Sequence, residues 1–326
     1  MTALDAAAAR VTGVAAPVFV DEASVFYGEV IGLSRVSLEL RPGITGIVGP
    51  NGSGKTTLMR VLVGLIGPQE GRVRVLGGDP FEEAGVRTRI NFVPATECFY
   101  DNISGHRNLE AAFVARGNHR TAARRLAAEA LEFVGLTADG KRPYRTWSRG
   151  MRQRLKLGLA LASHAEVVLL DEPFLGVDPP NRRRLRDHIA ALGEAGRTVL
   201  ISSHVLHEVE SLTDRVGVLA RGRLLGFGQV ETLLEDLRDR HPHRIRIETD
   251  DPRKLGAALL ARPHVREVAV EGERTLVLVT EDPEAAYREL PKLVVAAGCP
   301  VHALASVDNT LEAVFTHVTS TGTHRL

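Results

Sequence analysis

Gly49-Pro50-Asn51-Gly52-Ser53-Gly54-Lys55-Thr56 fits the pattern G-x-x-x-x-G-K-[ST] at every position. It stands between a short apolar run, Ile44 to Val48, and a stretch of helical spacing, Thr56 to Leu65. A buried strand, a glycine-rich turn and a helix in that order make a phosphate-binding loop. The glycines let successive backbone N–H groups converge on an anion, and the helix N-terminus adds partial positive charge. In this reading Asn51, Gly52, Ser53 and Gly54 form the cradle and Lys55 reaches the β- and γ-phosphates. The Thr56 hydroxyl holds Mg²⁺, and Thr57 is a second hydroxyl at the helix start. The expected ligand is a nucleoside triphosphate.

The rest of the chain limits what surrounds this loop. Its 326 residues suffice for two domains, and 44% hydrophobic with 25% charged residues is the composition of an ordinary globular protein. A formal net charge of +1 argues against a dedicated nucleic-acid binder, so no nucleic-acid partner is expected. Cys98 and Cys299 lie far apart with no metal-ligand spacing, which points to neither a disulfide framework nor a zinc site. A reducing, cytoplasmic setting follows. Residues 1–17 lack a basic n-region with an apolar core and read as a flexible tail. No window reaches the roughly 20 apolar residues of a membrane span, so any membrane role requires a partner.

Two rhythms divide the chain. From Val18 to about Gly228, short β-like runs alternate with helical ones, as in an α/β domain. Strands are expected at Val18–Phe26, Val36–Leu40, Gly71–Leu76, Ile90–Val93, Val167–Leu170, Thr198–Ser202 and Arg215–Ala220. Helices are expected at Met151–Ser163 and Asn181–Glu194, within and after a mostly helical insert at about 96–163. A charged linker, 229–243, is broken by Pro242. Residues 244–326 then give β-α-β-β-α-β, a small α+β domain of ferredoxin-like order, with a hairpin at Glu271-Gly272-Glu273.

The strand Val167-Val168-Leu169-Leu170 ends in Asp171-Glu172-Pro173. Ligands of open α/β sheets gather at such strand ends. Asp171 is therefore assigned to Mg²⁺ or its waters, and Glu172 to general-base removal of a proton from the water attacking the γ-phosphate. Ser148, in Trp147-Ser148-Arg149-Gly150-Met151-Arg152-Gln153-Arg154, caps a basic helix whose N-terminus suits an anion.

At this point the chain resembles the ATP-binding cassette (ABC) family. The family's signature usually reads L-S-G-G-Q; here Trp147, Arg149 and Met151 occupy its first, third and fifth positions, in a form similar to exporter subunits paired with ABC-2 type membrane proteins. The resemblance covers nearly the whole chain. It implies that Tyr27 stacks on adenine, that Val36 packs the base, that Asp178 of Gly176-Val177-Asp178 communicates between sites, and that His204 contacts the γ-phosphate. His207, His241 and His243 read as surface or core residues. Asn309-Thr310-Leu311-Glu312-Ala313-Val314-Phe315 is similar to a closing motif of the same subunits.

The resemblance also implies a homodimer or heterodimer, each ATP held between Lys55 of one subunit and Ser148 and Gly150 of the other. That dimer would lie on the inner face of the cell membrane against ABC-2 type permease subunits. One position departs from the pattern: after Ile90-Asn91-Phe92-Val93-Pro94 the family commonly has Gln, and this chain has Ala95. Glu97 is read either as its substitute or as a solvated loop acid, and Phe99 and Tyr100 either as core or as part of a groove for the membrane partner. The function expected from these residues and from the resemblance is that of an ATPase subunit of an exporter. The alternatives are a nucleotide-gated binding module of little turnover and a soluble, non-transport member of the family.

Overall fold

The computed structural model describes residues 16–233 and 243–306. Residues 1–15 of the expected tail, most of the expected linker and the closing motif Asn309–Phe315 lie outside the described residues. The chain divides after Phe227 into two compact units, each with a core of its own.

In the first unit, strands β3 (Gly43–Val48), β5 (Ile90–Val93), β6 (Val167–Asp171), β7 (Thr198–Ser203) and β8 (Arg215–Ala220) join β9 (Arg223–Gln229) in a six-stranded sheet, order β5-β6-β7-β3-β8-β9. The pairs β5/β6, β6/β7, β7/β3 and β3/β8 are parallel. Every residue of β6 is buried, as a strand covered on both faces requires. An antiparallel sheet of β2 (Val30–Leu40), β1 (Val18–Tyr27) and β4 (Glu70–Val75) adds a second layer. Helix α1 (Lys55–Leu62) contributes Leu58, Met59, Val61 and Leu62 to the core it shares with both sheets.

Helix α1 ends short of the expected Leu65 because Gly64 turns left-handed, at φ +74°. The short α2 (Ala84–Thr88) precedes β5. The helical insert is two helices, α3 (Gly105–Ala115) and α4 (Arg120–Phe133), broken at Gly117, and a 3₁₀ turn, Tyr144–Thr146, leads to α5 (Arg149–Ala162). Helices α6 (Pro179–Glu194) and α7 (Leu206–Glu210) follow β6 and β7.

Strand β9 escapes sequence reading. It is entered through Arg221 and Gly222, both at positive φ, and its sequence Arg-Leu-Leu-Gly-Phe-Gly-Gln carries two glycines that weaken any β signal. Residues 230–233, placed in the linker by sequence, are helical.

The second unit has β10 (His243–Thr249), α8 (Pro252–Leu260), β11 (Val265–Glu271), β12 (Thr275–Thr280), α9 (Pro283–Ala297) and β13 (Val301–Ser306). Its sheet is antiparallel throughout, order β11-β12-β10-β13, the ferredoxin-like arrangement. Ile245, Ile247, Leu276 and Leu278 face Leu255, Leu259 and Leu290 of the two helices. The hairpin turns at Gly272, φ +75°.

Candidate nucleotide site

The loop between β3 and α1 has the conformation its glycines permit. Gly52 and Gly54 sit at φ +78° and +108°, where a side chain would strain the backbone. The Lys55 Nζ folds back on the loop, donating to the carbonyls of Gly49 at 2.6 Å and Pro50 at 3.1 Å. Burial lowers its pKa, and the carboxylates of Glu172 and Asp171 pull the other way. The Ser53 hydroxyl is buried without a hydrogen-bond partner. An orphaned donor in a cradle of glycines, beside a buried cation, fits the oxygens of a polyphosphate.

Strand β6 delivers the acids to the same corner. The Thr56 hydroxyl donates to Asp171 Oδ2 at 2.8 Å, and Ser202, on the neighbouring β7, donates to Oδ1 at 2.5 Å. A hydroxyl and a carboxylate beside a phosphate cradle fit Mg²⁺, which takes few protein oxygens and completes its shell with phosphate and water. Among the described residues no cluster of three or more His, Cys, Asp or Glu could hold a metal unaided.

Glu172 is the first residue beyond the strand and adopts φ +50°, a left-handed conformation uncommon outside glycine. Both of its backbone groups are held: its N–H donates to Ser202, and its carbonyl accepts from Gln153 Nε2 at 3.3 Å, which also donates to the Pro173 carbonyl at 3.0 Å. The carboxylate Oε2 lies 2.9 Å from His204 Nδ1, at the end of β7. Sequence reading named both residues; their direct pairing is visible only in three dimensions.

Ser148, Gly150 and Asp178 form a second group and share no hydrogen bond with the phosphate loop. Ser148 caps α5, its hydroxyl accepting from the Met151 N–H at 3.2 Å. A Cβ on Gly150 would lie 3.2 Å from the Gly176 carbonyl, so the start of α5 and the turn before α6 are in close contact. The Asp178 carboxylate accepts both Asn181 bonds, at 2.8 and 3.0 Å, which hold its pKa below the usual range.

Tyr27 is exposed at the tip of the β1–β2 hairpin, its hydroxyl 3.5 Å from Thr57, while Thr57 itself points inward. Val36 is a correction. It has no exposed surface and belongs to the core under the antiparallel sheet, so it cannot touch a base. Val30 and Ile31, exposed beside Tyr27, are the apolar side chains the hairpin offers instead.

In the loop after β5, Glu97 is exposed, as the reading of a solvated loop acid expects, and its carboxylate accepts from the Tyr144 hydroxyl at 2.6 Å. Buried Tyr144 has its pKa raised, by burial first and by this bond second. Phe99 packs edge-on against the Tyr144 ring, whereas Tyr100 is exposed. A cavity of about 610 Å³ runs from Thr56 and Asp171 past Ala95, Phe99 and Tyr100 to α3.

This arrangement defines a P-loop nucleotide-binding cassette. Residues 33–175 match the ABC transporter family. Over 306 residues the chain is 35% identical to the daunorubicin resistance ATP-binding protein DrrA3 of Streptomyces coeruleorubidus, spanning 92% of this chain and 95% of that protein. Over 287 residues it is 32% identical to the Nod factor export ATP-binding protein I of Rhizobium johnstonii, spanning 86% and 89%. A solved ATP-binding subunit of an ABC transporter superposes with a TM-score of 0.62 at 24% identity, over 67% of this chain and 92% of that one. The chain belongs to the ATP-binding proteins of the ABC transporter family. Among the described residues no helix is long and apolar enough to cross a membrane.

Proposed function

We propose that the chain hydrolyses ATP with Mg²⁺ as the motor subunit of an exporter. The observation that carries this reading is the Glu172–His204 pair, 2.9 Å apart and next to the Thr56–Asp171 corner. Glu172 is the general base for the attacking water, with His204 orienting its carboxylate and meeting the γ-phosphate. Lys55 and the Ser53 hydroxyl bind the phosphates, Thr56 and Asp171 hold the metal, and Tyr27 lies against adenine. Bound Mg²⁺ supplies charge neutralisation at the β- and γ-oxygens.

Ser148, Gly150 and Asp178, apart from the phosphate loop of their own chain, serve the nucleotide of a second subunit, so two ATP close a dimer. Driving such a closure from 1:99 to 99:1 takes about 5.5 kcal/mol of differential binding. The cleft lined by Phe99, Tyr100 and α3 receives a segment of an ABC-2 type membrane subunit, which keeps the protein at the cytoplasmic membrane face. Export is the direction supported by relatives named for drug resistance and Nod factor export.

Steady-state hydrolysis by the wild type beside Glu172→Gln tests the enzyme reading. The variant is expected to lose on the order of 10²- to 10⁴-fold in kcat while still binding ATP. Equal, slow rates would leave a nucleotide-gated binding module, the reading favoured by Ala95 and by the engagement of Glu97 with Tyr144.

A further inference from the structure

Lys156 is almost fully buried, at 2% exposure, on α5. Its ammonium has three N–H groups, and three successive carbonyls take them: Pro94 at 3.1 Å, Ala95 at 3.1 Å and Thr96 at 3.2 Å. All three carbonyls belong to the loop whose side chains line the cavity beside Thr56 and Asp171. We infer that Lys156 is a positioning residue for the hydrolysis site, holding loop 94–96 at a fixed place beside the Thr56–Asp171 corner; the inference rests on the ATPase reading above.

Three observations support it. The Ala95 side chain has no polar atom, so it cannot hold the loop toward Asp171, and at residues 94–96 the Lys156 bonds act on the backbone instead. An apolar residue would fill the interior at this position without desolvating a charge, and burial does lower the Lys156 pKa. Finally, one face of α5 carries a series of such ties. Gln153, one turn before Lys156, holds the carbonyls of Glu172 and Pro173, and Leu159, one turn after, accepts from Asn91 of β5 at 3.3 Å. A single rigid helix, capped by Ser148, thus sets both the general-base turn and the loop beside the metal corner.

The test uses the full chain as wild type, Lys156→Met and Lys156→Gln. Hydrogen exchange is followed with Mg²⁺ and a non-hydrolysable ATP analogue, alongside steady-state ATPase kinetics. Lys156→Met is expected to speed exchange at Tyr100, whose amide donates to Asn108 Oδ1 at 2.8 Å at the end of this loop, about tenfold or more, with α1 unchanged. Its kcat is expected to fall about tenfold, with KM for ATP within about twofold of wild type. Lys156→Gln, with two N–H groups, is expected to be intermediate in both. Wild-type exchange at Tyr100, or parallel loss of protection in α1 with kcat and KM both impaired, would overturn the inference. Should Lys156→Met not fold, Lys156→Gln carries both readouts, and its equality with wild type overturns the inference as well. A wild type no faster than Glu172→Gln defeats the ATPase reading alone, and the exchange measurement still decides Lys156.

Discussion

Lys55, the lysine of the phosphate-loop motif, is held in the folded protein at an electrostatic cost. Lys55 is 7% exposed, and its lowered pKa comes first from burial. Between that lowered value and the ordinary lysine value the unfolded chain binds the proton more tightly than the native one. Stability therefore rises with pH across this window, and the full penalty applies below it. Lys55→Met has no such titration, so paired urea titrations should show the wild type gaining on the variant as pH rises toward the ordinary lysine value, about 10.4. A difference that stays flat would refute the assignment. In the proposed role of Lys55 the same substitution would remove a charge-assisted hydrogen bond to phosphate, worth ~1.5–3 kcal/mol, and should weaken nucleotide binding about 10- to 100-fold.

The phosphate-loop and strand-end residues were legible in the sequence because their chemistry demands those residue types at that spacing. The burial of Val36 was legible as well, since on β2 it stands in phase with buried Leu38 and Leu40, with exposed Ser37 between. Its placement against a base rested on the family resemblance and not on this alternation.

At the scale of elements, the start of α3 and the signature turn are packed with no free space. A Cβ on Gly105 would come within 2.3 Å of the Trp147 ring, which is itself nearly buried and tilted against Tyr144 at 5.8 Å between centroids. The Arg152 guanidinium lies over the Tyr144 ring, 4.7 Å from its centroid, and so binds α5 to the same cluster. Gly105→Ala should cost about 1–3 kcal/mol by overpacking, and Trp147→Leu in the same chain should relieve most of that cost. Urea titrations of the single and double variants measure the coupling, and additive effects would show that the contact does not bear on stability. Sequence reading placed the helical insert and the Ser148 cap because periodicity and capping are local. It could not foresee that a tryptophan in the signature's first position requires glycine far upstream, or that Glu97 answers to Tyr144, since both depend on contacts between elements.

On the scale of the whole chain, the two units have separate hydrophobic cores, and the groups that would hold nucleotide lie in the first. Trp147, the sole tryptophan, is also in the first unit, so its fluorescence reports on that core alone. Leu278 has no exposed surface and packs in the second core, where truncation to alanine should cost about 2–5 kcal/mol. Leu278→Ala is therefore expected to lower a calorimetric or circular-dichroism transition belonging to the second unit. The Trp147 transition and the affinity for ATP should stay where they are in the wild type. Saturating nucleotide should do the reverse, raising the Trp147 transition by about 2.7 kcal/mol at a hundredfold excess over Kd, because a ligand stabilises only the unit whose native state binds it. If Leu278→Ala and nucleotide instead move both transitions together, the chain unfolds as one cooperative body, and the ferredoxin-like unit contributes directly to the stability of the nucleotide site.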